Sequence, residues 1–388
     1  MIFSKMRVYL DHNASSPLRP QVKEALVEAM EKAANASSVY EEGRKAKGLI
    51  EHARELVAQL VKADSKAVTF TGGGSEANAT VLQPNMSVKG KPVLLDRLFV
   101  SSVEHDSIVK GGRFAAEKIE KIPVDTNGLI DLLWLETRLK ELSDIGETAL
   151  VAVMLANNET GVLQPASQVG ALVAKHGGYF LCDAVQAPGK ISIDINSIGA
   201  HFLTLSAHKI GGPQGVGAIV RQSDAYAFQP LIRGGGQEAY GRAGTENIMG
   251  IHGFGVAAEL ADNDDKSDRL ATMRDALEEG LEGVTIVGNS GPRLPNTSCI
   301  AYPGVPAETM LISMDLQGFA ISSGSACSSG KVGVSHVLTA MGLDENIARS
   351  ALRVSLGWNT EEEHIKEFVK AFNQMTKALS PKLEDTAA

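Results

Sequence analysis

Cysteine is scarce in this 388-residue chain: Cys182, Cys299 and Cys327 are an odd three, and no two are spaced as CxxC. That excludes a fully paired disulfide framework and argues against a zinc site built on paired thiolates. At least one thiol is free, which suits a reducing compartment. Positive charge is also short, with 37 Lys and Arg against 46 Asp and Glu and a net charge of −9. The sign is wrong for holding a phosphate backbone, so no nucleic-acid partner is expected. Long apolar runs are missing as well, since stretches such as 149–156 end well short of the ~20 residues that cross a bilayer. Residues 1–10 lack the apolar stretch and cleavage site of a signal peptide. No membrane partner and a cytoplasmic location are the expectations. None of the nine histidines falls in an HxH or HExxH pattern, so no metal is expected.

What is present reads as an α/β chain. Short β-rich runs at 67–71, 98–102, 150–154, 179–183, 202–206 and 216–220 alternate with helical spacings such as 21–33 and 166–175. That alternation predicts a mostly parallel sheet flanked by helices. The polar stretch 261–268 (ADNDDKSD) is a change of composition, and a domain boundary is expected near it. Beyond it a small α+β domain closes with an amphipathic helix over 362–379, with Ile365, Phe368, Val369, Phe372 and Met375 on one face.

Several segments carry residue types suited to chemistry. The run Thr71-Gly-Gly-Gly-Ser-Glu-Ala-Asn78 follows a strand and opens a helix, where free backbone N–H groups and the helix dipole favour an anion. It has neither the GK[ST] ending of a nucleotide P-loop nor GxGxxG, so a phosphate on something other than a nucleotide fits better. Asp183 ends an apolar strand, the place where side chains of parallel sheets face a ligand crevice; a helix cap is the bland alternative. Lys209, in Ser206-Ala-His-Lys209, also follows an apolar strand. Desolvation there makes a free, nucleophilic amine. His105 is suited to stacking on an aromatic ring or shuttling a proton, and equally to a structural hydrogen bond. Cys327 sits among small residues in Ser322-Ser-Gly-Ser-Ala-Cys-Ser-Ser-Gly330, where a thiol is accessible. Cys182 and Cys299 lie in apolar strand patterns and read as inert core. Arg353 interrupts an alternating apolar pattern, a setting in which guanidinium groups pair with a carboxylate of protein or substrate.

Taken in order, these segments resemble the cysteine desulfurases of the NifS/IscS-like group, within the class V aminotransferase family of fold-type I enzymes that use pyridoxal 5'-phosphate (PLP). The matching blocks are Tyr9-Leu-Asp-His-Asn-Ala-Ser-Ser-Pro17, Glu104-His105, Ala156-Asn-Asn-Glu-Thr-Gly161, Asp183-Ala-Val-Gln186, Ser206-Ala-His-Lys209, Gly234-Gly-Gly-Gln-Glu238, Gly244-Thr245 and the Cys327 segment. The resemblance implies a PLP-dependent transferase fold with a seven-stranded type of sheet. It also implies a large PLP-binding domain over 15–260 and a small domain made of 1–14 and 261–388 that carries Cys327. By the same resemblance Lys209 would hold the cofactor covalently, Asp183 would pair with its ring nitrogen, and His105 would stack on the ring. Gln186 and Asn158 would reach the phenolic oxygen or the substrate. Gly74, Ser75, Ser206 and His208 would hold the phosphate, with Thr245 supplied by the second subunit of a homodimer. Arg353 would bind the substrate carboxylate. The implied reaction takes sulfur from L-cysteine, leaves alanine, and places a persulfide on Cys327 for an acceptor such as an iron–sulfur scaffold protein.

Three alternatives share parts of this pattern. A selenocysteine lyase and another class V PLP aminotransferase would share the fold and differ at the site. A non-catalytic sulfur carrier or assembly scaffold is the third, and the retention of Lys209, Asp183, His105 and Cys327 together counts against it.

Overall fold

The computed structural model describes residues 7–32, 34–110, 112–262, 267–324 and 334–379; Cys327 lies outside them. At its centre is a seven-stranded sheet of β1 (Val68–Thr71), β2 (Arg97–Ser101), β3 (Ile119–Ile122), β4 (Ala149–Met154), β5 (Tyr179–Asp183), β6 (Phe202–Ser206) and β7 (Gly217–Arg221). The spatial order is β1-β7-β6-β5-β4-β2-β3. Every pairing from β6 across to β3 is parallel, and β7 alone runs against its neighbours β1 and β6. The sheet is therefore mostly parallel, as the alternating pattern predicts.

Burial on both faces explains the strand sequences. All six residues of β4, Ala-Leu-Val-Ala-Val-Met, are buried, and a strand covered by helices on each side needs such an unbroken apolar run. One face packs Val151, Val153, Phe180 and Leu203 into the main core, and the other packs Leu150, Ala152, Leu181 and Phe202 into a second cluster. The strand β3 was not read from the sequence because Ile-Glu-Lys-Ile sits half-buried at the sheet edge. A three-stranded sheet of Asn85–Val88, Lys91–Leu94 and Tyr226–Phe228 was missed too. Asn85–Val88 and Lys91–Leu94 pair as a hairpin of short, mostly unburied strands, and Tyr226–Phe228 joins them from far along the chain.

The last third of the chain builds a four-stranded antiparallel sheet in the order Thr285–Ile286, Thr297–Ala301, Ala351–Ser355, Ser322–Ser323. Helices Ser267–Gly280, Ala307–Leu316 and Glu362–Leu379 cover it. Its core gathers Leu277, Met310, Leu352, Phe368 and Phe372 with Val8 and Leu10 from the beginning of the chain. Val8–Tyr9 pairs in parallel with Phe319–Ala320. The expected closing helix thus runs over Glu362–Leu379, with Phe368 and Phe372 fully buried. Among the described residues no helix is long and apolar enough to cross a membrane.

Candidate active site

The carboxyl ends of β1, β2, β4, β5 and β6 all open on the same side of the sheet, and the crevice there is where parallel α/β sheets place ligands. A cavity of about 340 Å³ occupies it. Ten of the residues singled out from the sequence line this space: Gly74, Ser75, His105, Asn158, Asp183, Gln186, Ser206, His208, Lys209 and Arg353. They come from segments that are remote in sequence, and the sheet brings them together.

Asp183 stands at the end of β5 and is buried. Its Oδ1 accepts the Val185 N–H at 2.9 Å, and its Oδ2 accepts Asn78 Nδ2 at 2.8 Å. Asn78 is itself fixed by Thr204, whose hydroxyl donates to Asn78 Oδ1 at 2.8 Å. The carboxylate is therefore held in one orientation from two sides. His105 follows β2, and its Nδ1 accepts the Ser107 N–H at 3.1 Å. This bond directs the neutral ring's proton to Nε2.

Lys209 lies in the turn after β6 and donates from Nζ to the carbonyl oxygens of Asn13 at 2.6 Å and Ala14 at 2.9 Å. A second cavity of about 320 Å³ is lined by Ser15, Gly72 to Ser75, Ser206 and His208, several of which also border the first. It sits at the N-terminus of helix Gly74–Val81, where backbone N–H groups have no partner within the helix. Gly74 is required there: a Cβ would come within 2.9 Å of Val185 Cγ2. Burial and the neighbouring Lys209 charge lower the His208 pKa to about 4, so His208 meets an anion as a neutral hydrogen-bonding group.

Arg353 is fully buried in the strand Ala351–Ser355. Nη2 pairs with Asp11 Oδ1 at 2.8 Å and Nη1 donates to the Asn158 carbonyl at 2.9 Å. Its Nε has no partner among the described residues, an orphaned donor beside the cavity. Thr245 is exposed and lies outside the lining of both cavities. The nearby Glu238 carboxylate is clamped by Arg54 at 2.7 and 2.9 Å and by the Phe70 N–H. It anchors three successive residues, Glu238, Ala239 and Tyr240, with φ of 47°, 51° and 65°, a left-handed run that non-glycine residues seldom adopt.

Four residues escaped the sequence reading because each looks like an ordinary polar residue in the chain. Glu104 is completely buried; its Oε1 accepts the Met154 N–H at 2.6 Å, and burial with the nearby Asp183 charge pushes its pKa well above the carboxylate range. Burial raises Glu159 to about 7, against the lowering effects of the Ser335 hydroxyl and Arg353. Asn13 and Lys190 complete the group, both buried and bonded to each other. Cys182 and Cys299 are buried as expected, and burial raises the thiol of Cys182 far above its usual value and that of Cys299 to about 12. Among the described residues no three His, Cys, Asp or Glu side chains group as metal ligands.

The site's donor set fits PLP. It pairs an amine with a fixed carboxylate across one cavity and ends in a cradle that a Cβ at Gly74 would fill. Comparison with known proteins points the same way. The class-V aminotransferase family model matches residues 8–368. A protein named cysteine desulfurase IscS from Dictyoglomus turgidum is 36% identical, covering 97% of this chain and 96% of the relative. A cysteine desulfurase from Sinorhizobium fredii is 39% identical over 92% of this chain and 93% of its own. The X-ray structure of a NifS-like protein from Rickettsia africae superposes with a TM-score of 0.84 at 36% identity, covering 96% of this chain and 99% of that one.

Proposed function

We infer the chemistry from one premise: this chain belongs to the class-V aminotransferase family and is a cysteine desulfurase. The observation that carries the detailed reading is the convergence of Lys209, Asp183 and His105 on one cavity at the carboxyl ends of the parallel strands.

PLP, when bound, supplies the electron sink that makes the substrate's α-hydrogen acidic. Lys209 is the residue that would hold it covalently, and its amine is the base placed to move a proton at the α-carbon. Asp183 would keep the ring nitrogen protonated, a task for which Asn78 and the Val185 N–H fix its orientation. His105 would stack on the ring, and Gln186 and Asn158 would serve the phenolic oxygen or the substrate. Gly74, Ser75, Ser206 and His208 would hold the phosphate. Arg353, which lines the cavity, is the donor for the substrate carboxylate. The thiolate of Cys327 attacks the sulfur of cysteine, so that an S–S bond forms as the C–S bond breaks; alanine leaves and the persulfide remains for an acceptor such as an iron–sulfur scaffold.

A homodimer completes the site in this reading, with Thr245 reaching the partner's phosphate. Its exposure supports this, as do the exposed apolar residues Val39, Tyr40, Leu231, Ile232 and Tyr240. The large domain would span 15–260 and the small one 1–14 with 261–388; the packing of Val8 and Leu10 into the core of the last third supports the division. Free thiols favour a cytoplasmic setting.

The test is incubation with L-cysteine and a reductant, measuring sulfide and alanine together. Equal yields are expected. Lys209→Ala should abolish both products and the visible chromophore, and attachment of the cofactor to another lysine after borohydride reduction would overturn the reading.

A further inference from the structure

A second lysine is buried beside Lys209. Lys190 lies in the turns that follow Asp183, and its Nζ donates to Gln186 Oε1 at 3.0 Å and to Asn13 Oδ1 at 3.1 Å. The charges acting on it, Lys209 and Arg353, are both positive, and burial pushes its pKa well below the lysine range. Two amide oxygens receive its N–H bonds. A surface lysine needs no such arrangement; a buried one without a carboxylate partner is costly to keep.

What the amine accomplishes follows from the amides it touches. Gln186 Oε1 is drawn to Lys190 while Gln186 Nε2 donates to the Asn13 carbonyl oxygen at 2.9 Å. That orientation leaves the second N–H of Nε2 as the group Gln186 offers to the cavity it lines. On Asn13, Oδ1 is occupied by Lys190 and by Asn296 Nδ2 at 3.2 Å, which turns Asn13 Nδ2 toward Thr297 Oγ1 at 2.9 Å. The same Asn13 carries the carbonyl on which Lys209 Nζ rests. The Asn13 carbonyl can only accept and so holds the Nε2 end of the Gln186 amide, while the Lys190 amine is the donor among the described residues that holds its Oε1 end.

We propose that Lys190 is a positioning residue, whose amine locks Gln186 and Asn13 so that Gln186 presents an N–H donor to the phenolic oxygen of the cofactor. The role rests on reading the cavity as the PLP site. A donor at that oxygen favours its ionised form and lowers the pKa of the bound cofactor's visible chromophore.

The experiment is a pH titration of that chromophore in the holoenzyme. Lys190→Met, which removes the donor and retains most of the apolar stem, should raise the apparent pKa by about one unit, a tenfold change in the protonation constant. Lys190→Gln, of the same length as Met but able to donate to one acceptor, should raise it less. Gln186→Leu should produce the same rise as Lys190→Met, and the double variant no more than either alone. An unchanged titration in whichever Lys190 variant folds overturns the proposal, even if Tm falls. So does full additivity in the double variant. A chromophore that survives Lys209→Ala instead overturns the assignment of the site, and the role of Lys190 falls with it.

Discussion

Asn78 Nδ2 lies 2.8 Å from Asp183 Oδ2, so the helix Gly74–Val81, whose first turn borders the second cavity, also holds the Asp183 carboxylate. With the cofactor seated as proposed, one rigid element would grip both its ends. Asn78→Ala should cost roughly 2 kcal/mol of binding, about thirtyfold in the cofactor's dissociation constant. Titration of apo-protein with PLP checks it. An unchanged affinity would mean that Asp183 is oriented by the Val185 N–H alone.

Two of the three thiols, Cys182 and Cys299, are buried in strands. Iodoacetamide on the native protein should label Cys327 and spare Cys182 and Cys299, whose burial suppresses the thiolate. Cys327→Ala should retain the bound chromophore and lose desulfuration by several orders of magnitude, as removal of a covalent nucleophile commonly does. Mass spectrometry after addition of cysteine should find no persulfide on the variant. Alanine and sulfide at the wild-type rate would remove Cys327 from the mechanism.

Much of this site was legible because its residues end strands. Asp183, Lys209 and His105 each follow an apolar run, and a strand's end is where a parallel sheet exposes side chains to a ligand. Glu104, Glu159 and Lys190 were not legible, because charged residues are solvated by default and their burial is decided by neighbours distant in sequence. The reversal of β7 was equally hidden: Gly217–Arg221 is as apolar as its parallel neighbours. Only the close approach of Gly217 to Gly73, where a Cβ would lie 2.6 Å from the main chain, marks the spot.

Arg353 gives one N–H to Asp11 and one to the Asn158 carbonyl, and in the proposed reading the rest of its five-donor fork meets the substrate carboxylate. Lysine in its place retains charge without the guanidinium fork. Arg353→Lys should raise KM for cysteine by about ten- to a hundredfold with a smaller effect on kcat, the signature of lost substrate binding. A change confined to kcat would place the carboxylate elsewhere.

Acid should destabilise the protein through His12. Burial, aided by the charge of Arg19, lowers its pKa from 6.5 to about 3 in the folded state. The unfolded chain therefore takes up the proton first, and the stability His12 contributes above pH 6.5 is lost as pH falls toward 3. Over that window the wild type should lose on the order of 1 kcal/mol per pH unit more than His12→Gln, as urea midpoints would show. Glu159 acts in the opposite sense: its folded value near 7 exceeds the ordinary 4.5, so its contribution is complete below 4.5 and lost as pH rises through 7. Parallel pH profiles for wild type and His12→Gln would contradict the burial argument.

The position of Asn13 has a consequence for synthesis. Its carbonyl receives Lys209, 196 positions later, and its backbone N–H is bound by Ser355, 342 positions later. A ribosome adding roughly 5–20 residues per second needs roughly 20–70 s to span the longer of those intervals. During that wait the opening strand has no Phe319–Ala320 edge to pair with, and the lysine's anchor is not yet fastened in place. Capture of the opening strand therefore waits for the last third of the chain, and a nascent chain that already contains Lys209 still lacks Arg353, which lines the cavity.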